Sequence, residues 1–207
     1  MSAKPLAGRV VAVIGPGGAL HRALAIACAE AGADLALATT DRSQAQGFAV
    51  NSIANEAWAV GVGQFVTRLD ALDPALVMAF ADETWDRYRR CDALVCAHDV
   101  PSHAPLDELS ADEWVATLAA NLTAPFLALH AFGRSMEREG RGTVVAAIPR
   151  HANVDAAYRA ARAGLAAVVR EITDEWAARG VRAVLLETDP AAPQAAGAAL
   201  VGLLTAP

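Results

Sequence analysis

Short apolar runs alternate with longer stretches of helical periodicity from one end of the chain to the other. Val10-Val11-Ala12-Val13-Ile14 is five apolar residues in a row, four of them β-branched, the pattern of a strand buried on both faces. After a glycine-rich break, Leu20, Leu24, Ala27 and Cys28 recur at helical spacing as far as Gly32. Leu35 to Thr39 reads as a second strand, Ser43 to Ala57 as a helix weakened by Gly47, and Phe65-Val66-Thr67 as a third strand ending at Asp70. Pro74 starts a helix with Leu76, Val77, Phe80, Trp85 and Tyr88 on its apolar face. Ala93 to Cys96 is a fourth strand. Ser110 and Glu113 have capping-box spacing and open a long helix carrying Trp114, Leu118, Leu122 and Leu129. Thr143 to Ile148 is a fifth strand, closed by Pro149. Tyr158 to Ala178 is a second long helix, halted by Gly180; Val181 to Leu186 is the sixth strand, and Gln194 to Leu204 a last short helix. This alternation predicts an α/β fold, a doubly wound parallel sheet with helices on both faces. No repeat or linker divides it, so residues 1–207 read as one domain.

The first strand, the turn Gly15-Pro16-Gly17-Gly18 and the helix after it form the opening of a Rossmann-type dinucleotide-binding unit. In such a unit, backbone N–H groups at the helix start meet a pyrophosphate. Gly15 suits the bend, and Gly17 or Gly18 a close backbone approach, with Leu20 at the helix start. Ala19 and His21 stand where further glycines are expected. Alanine is a small loss there; an imidazole is a large one unless it points away. The plainer alternative is a helix-start loop that binds nothing.

A hydrophobic content of 55% with only 5% aromatic residues fits alanine-rich helices packed closely on a sheet. A net charge of −6 and the lack of any basic run argue against nucleic acid. The longest apolar run, Ala195 to Leu204, is too short to span a bilayer, so no membrane partner is expected. The N-terminal segment carries a single Lys4 and no signal-type apolar region, which predicts a cytoplasmic protein. Cysteines 28, 91 and 96 lack metal-ligand spacing, and an odd count suits a reducing compartment. His98 and His103 with Cys96 read as loop residues rather than metal ligands.

Two features of the long helices carry candidate chemistry. Tyr158 and Arg162 are one turn apart, so phenol and guanidinium can be neighbours. Pro125 follows Asn121 by four residues and has no N–H to offer its carbonyl, which predicts a kink and another partner, such as an ordered water. A packing kink and a surface Tyr–Arg pair are the plainer readings.

At this point the chain resembles the short-chain dehydrogenase/reductase family over nearly its full length. The resemblance rests on the order of signals: the glycine turn, Asp70 after the third strand, Asn121-Leu122-Thr123-Ala124-Pro125-Phe126, Tyr158 with a basic residue four later, and Gly180-Val181-Arg182. It implies NAD(P)-dependent interconversion of an alcohol and a carbonyl. Tyr158 would be the general acid/base, Asn121 the holder of a relay water, and Asp70 the partner of the adenine amino group. Gly15, Gly17, Gly18, Leu20 and Ala97 would line the coenzyme.

The departures from the family pattern are as informative. Arg162 replaces the usual lysine. Lowering a tyrosine from about 10 to neutrality requires roughly 3 pK units, or about 4 kcal/mol. A guanidinium supplies part of that by charge, but it does not deprotonate and cannot pass a proton on. Where the family has a serine, the chain reads Ala147-Ile148-Pro149-Arg150-His151, leaving His151 as the only substitute donor. Cys96-Ala97-His98-Asp99 replaces an Asn-Asn-Ala-Gly loop, and Glu187-Thr188-Asp189-Pro190 replaces the usual Pro-Gly, with little chain left for a lid and final strand. These changes predict weak or lost turnover. After the second strand, Asp41 favours NAD through a ribose hydroxyl and Arg42 favours NADP through a 2′-phosphate. The balance leans to NADP, with no bound coenzyme as the remaining case. The alternative function is a non-catalytic scaffold or partner subunit of an active relative. Pairing of the long helices, through the stripe Ala156, Ala160, Ala163 and Ala167, would give a homo-oligomer or a hetero-oligomer.

Overall fold

The computed structural model describes residues 4–206. Its strands are β1 (Val10–Ile14), β2 (Asp34–Ala38), β3 (Gln64–Thr67), β4 (Ala93–Cys96), β5 (Gly142–Pro149) and β6 (Val181–Thr188). They form one six-stranded sheet, every pair parallel, in the order β3-β2-β1-β4-β5-β6. The order reverses beside β1, where Ile14 is flanked by Ala38 on one side and Cys96 on the other. Such a switch point opens a crevice at the carboxyl ends of the strands.

The helices are α1 (Ala19–Glu30), α2 (Gln44–Val60), α3 (Pro74–Tyr88), α4 (Ala111–Leu118), α5 (Ala124–Glu139), α6 (Ala156–Trp176) and α7 (Pro193–Thr205). Alternation along β1 sends Val11 and Val13 to one face, where they meet Leu24 of α1, Val50 of α2 and Leu200 of α7. Ala12 and Ile14 face the other way, toward Phe80 of α3, Phe132 of α5 and Leu165 of α6. A doubly wound Rossmann-type sheet with helices on both faces is the result.

Several boundaries differ from those the sequence predicts, each for a local reason. The second helix runs on to Val60 because Gly61 supplies the left-handed cap, while Ser43 caps its start through the Gln46 N–H. Gly47 is accommodated beneath Arg68, whose side chain lies 3.0 Å from where a Cβ would be. The sixth helix begins at Ala156 rather than Tyr158 because Asp155 is its N-cap, accepting from the Tyr158 N–H at 2.9 Å.

The expected irregularity at Pro125 is a π turn over Ala119–Thr123, joining α4 to α5. There the Ala124 N–H bonds the Ala119 carbonyl, so one extra residue is taken into the turn. The continuous run Ala111–Glu139 is long and apolar enough to cross a membrane by length and composition, but Ala128, Leu129 and Phe132 pack in the sheet core. Ser110 and Glu113 form the predicted capping box. Ser110→Ala should lower stability by about 1 kcal/mol in denaturant unfolding without changing the slope.

The final helix is fastened at its far end. Arg9, just before β1, donates to the Leu204 carbonyl at 2.6 Å, and Arg182 near the start of β6 donates to Leu203 at 2.5 Å.

Candidate functional site

The turn after β1 is shaped by glycine at two points. Gly17 has φ +84, and a Cβ there would lie 2.4 Å from the Ala49 side chain, so both its conformation and its packing on α2 require glycine. The bend the sequence assigns to Gly15 therefore sits at Gly17. Gly15 is required for a different reason: a Cβ on it would lie 2.7 Å from His21 Nδ1. Gly18 is the N-cap of α1, has no side-chain cap bond, and faces open space. The first N–H groups of the helix consequently have no capping side chain to satisfy them.

His21 does not project into the crevice. It is buried beneath the turn, and its Nδ1 accepts the Gly17 N–H at 3.1 Å. Burial pushes its pKa down to about 4. His98, also buried, is pushed down to about 3, by burial first and then by the nearby His21. His21 Nε2 and both ring nitrogens of His98 have no hydrogen-bond partner among the described residues.

Two cavities share Pro16 and Asp99. One, of about 310 Å³, is lined by Thr40, Asp41, Gln46, Asp70, His98 and Val100 among others. The second, of about 190 Å³, lies along Gly18, Leu20, Ala97, His151 and Asp189. At the rim of the first, Gln46 ties the loop after β2: its Oε1 accepts from the Thr40 and Asp41 N–H groups at 2.8 and 3.1 Å. The Asp41 carboxylate is turned into this loop, accepting from Ser43 N at 2.7 Å and Gln46 Nε2 at 2.9 Å. Arg42 is exposed, and its carbonyl accepts from the Arg68 guanidinium. Asp70 lines the same cavity and accepts the Leu72 N–H at 2.9 Å. Ala97 continues β4, donating to the Ile14 carbonyl at 2.8 Å.

The groups assigned to catalysis from sequence divide into two sets. Asn121 is buried, and its side chain clasps the loop after β4: Nδ2 donates to the Val100 and Thr117 carbonyls at 3.0 Å each, and Oδ1 accepts the Val100 N–H at 2.9 Å. Tyr158 and His151 meet instead at Asp99. The Tyr158 hydroxyl donates to Asp99 Oδ1 at 2.7 Å, and His151 Nε2 lies 2.8 Å from Oδ2 and 3.0 Å from Oδ1.

Arg162 is a neighbour of Tyr158 and lowers its phenol by charge, as the sequence suggests, but only as the weakest of the influences on it. Its guanidinium carbon lies 5.7 Å from the centre of the Tyr158 ring, over the face rather than at the hydroxyl. Burial and then the Asp99 carboxylate hold the phenol above its ordinary pKa, outweighing the opposite pull of Arg162. Asp99 is the residue sequence reasoning passed over. The only signal was a carboxylate where the resembled family has glycine, which read as a loss.

The chain matches the short chain dehydrogenase family over residues 9–197, and it belongs to that family. It is 33% identical to the D-threitol dehydrogenase of Mycolicibacterium smegmatis, across 86% of this chain and 68% of that one. It is 30% identical to the galactitol 2-dehydrogenase of Rhizobium johnstonii, across 86% and 69%. A metagenomic short-chain oxidoreductase solved with NADP superposes with a TM-score of 0.84 at 25% identity, covering 98% of this chain and 93% of that one.

Proposed function

We propose that this chain is a nicotinamide-coenzyme-dependent oxidoreductase that interconverts an alcohol and a carbonyl, with a polyol as the substrate class. The observation that carries the reading is the crevice at the strand ends, bounded by the uncapped start of α1 on one wall and by Asp99 and His151 on another. The residues present fit the coenzyme. The backbone of Gly18, Ala19 and Leu20 would hold the pyrophosphate, and Thr40 and Asp70 would border the adenosine. When bound, the coenzyme supplies the hydride donor or acceptor. The polyol class rests on the likeness to the D-threitol and galactitol dehydrogenases.

NADP is favoured over NAD at the rim. Both oxygens of Asp41 are occupied within their own loop, while Arg42 and Arg68 bring two cations to the start of α2. Titration with NADPH and NADH tests this. A ligand present at a hundred times its Kd stabilises the fold by about 2.7 kcal/mol. In a chain of this size that is a rise in Tm of about 5–10 °C. NADPH should produce it at lower concentration than NADH. A Tm unmoved by either coenzyme at millimolar concentration overturns the proposal.

A second reading, a non-catalytic partner subunit, has its own support. His21 occupies the Gly17 N–H, and the phenol of Tyr158 is pushed away from the acidity its family role demands. Ala163 and Ala167 are exposed on α6, whereas Ala157, Tyr158, Ala161, Leu165 and Val169 are among the residues of that helix packed inward. The later part of the alanine stripe therefore lies outward, and Val115 and Phe126 on the preceding helices are exposed as well, which suits helix pairing with a second copy or a relative. Under this reading neither coenzyme shifts the Tm and the chain sediments as an oligomer.

A further inference from the structure

Tyr158, the residue that family resemblance makes the acid/base, is 1% exposed. His151 and Asp99 have side-chain exposures of 19% and 18%, and both line the cavity beside the start of α1. We infer that His151, held by Asp99, is the proton donor and acceptor of this site, and that Tyr158 is a positioning residue behind it. The inference rests on the oxidoreductase reading above and names the group that moves its proton.

The hydrogen-bond chemistry fixes the direction. A carboxylate only accepts, so the Tyr158 O–H and the His151 Nε2–H both donate to Asp99. With Nε2 protonated, the neutral imidazole keeps its lone pair on Nδ1, which has no partner among the described residues and is not sealed from solvent. A carboxylate behind one ring nitrogen sets the tautomer and stabilises the imidazolium formed when the other takes a proton. The His151 ring stands edge-on to Tyr158, centres 5.8 Å apart, so the phenol limits rotation of the imidazole while its hydroxyl limits rotation of Asp99. Arg162, its guanidinium carbon 5.7 Å from the ring centre, packs over the phenol as well.

In the oxidative direction the substrate O–H bond breaks and an N–H bond forms at Nδ1. The coenzyme, held at Gly18, Ala19 and Leu20, would supply the two-electron acceptor for the carbinol hydrogen, so the proton taken at Nδ1 would be the only one the protein itself moves. The new positive charge on the imidazolium is met by Asp99.

The test uses the full chain in two measurements. Two-bond nitrogen–proton NMR correlations of the imidazoles, without coenzyme, report the tautomer: His151 should be Nε2–H in the wild type and mixed in Asp99→Asn. Oxidation of D-threitol with NADP or NAD then gives the rates. His151→Gln should lose about 100-fold or more in kcat, the usual contribution of a positioned acid/base. His151→Ala should be partly rescued by added imidazole, a response a merely structural role does not give. Tyr158→Phe, which retains the ring, should lose less than about tenfold, since it removes no reacting proton. The inference is overturned if wild-type His151 carries its proton on Nδ1, or if Tyr158→Phe abolishes turnover while His151→Gln retains it. A wild type with the Nε2–H tautomer and no D-threitol oxidation overturns the polyol reading and upholds the imidazole's orientation.

Discussion

Acidifying the protein from pH 7 to pH 4 is expected to lower its stability by several kcal/mol. His21 and His98 are neutral and buried, with pKa values lowered to about 4 and about 3 from an ordinary 6.5. In the unfolded chain both imidazoles protonate as the pH passes 6.5; in the fold they stay neutral until far lower. The unfolded state therefore binds more protons across this window, and stability falls as pH falls. Each imidazole contributes on the order of 3 kcal/mol over that range, a large share of the ~5–15 kcal/mol that holds a typical domain together. Denaturant unfolding at pH 7, 6 and 5 measures the slope. His98→Leu is the sharper variant, because neither ring nitrogen of His98 has a partner to lose among the described residues. It should leave stability at pH 7 unchanged or raised, and flatten the acid slope by about one proton, near 1.4 kcal/mol per pH unit. An unchanged slope between pH 6 and pH 5 would refute the assignment of this acid sensitivity to His98.

The largest single-residue loss of stability is expected at Gly180. It closes the turn between α6 and β6 with φ +80, and a Cβ there would lie 2.0 Å from the Gly140 carbonyl oxygen. A backbone oxygen anchored in its own turn has nowhere to move. Gly140 is the natural control: it too is left-handed, at φ +67, but nothing lies within 4 Å of its absent Cβ. Gly140→Ala should cost about 1–2 kcal/mol, the conformational penalty alone. Gly180→Ala adds the collision and should exceed about 4 kcal/mol, a value few single substitutions reach. With roughly 2–4 °C of Tm per kcal/mol in a chain of this length, the two variants should melt well apart. Equal melting temperatures for the two would show that the neighbouring turn yields.

The order of strands and helices was legible because burial on both faces turns each parallel strand into an apolar run, as in Val10 to Ile14. Helix ends were less so: Gly61 and Asp155 set them through cap geometry that periodicity does not report. Pro125 announced an irregular turn, since a missing N–H is written in the residue type, but not that Asn121 would clasp the loop after β4 with its side chain. The site was half visible. Tyr158 and His151 were found from their places in the chain, yet the group that joins them, Asp99, is 59 and 52 residues away. Arg162 shows the limit of spacing arguments. Four residues on, a helix places a side chain on the same face, but whether it meets the face of a ring or its hydroxyl depends on the neighbours.

The clasp on α7 has a practical consequence. Arg9 and Arg182 grip its last turn at the amino ends of β1 and β6, whereas the crevice opens at the carboxyl ends. A fluorophore, affinity handle or solid support attached at exposed position 205, on the last turn of α7, would thus depart from the pole of the molecule opposite the mouth. Immobilised that way, the protein presents its crevice outward, with the thickness of the sheet between attachment and ligand.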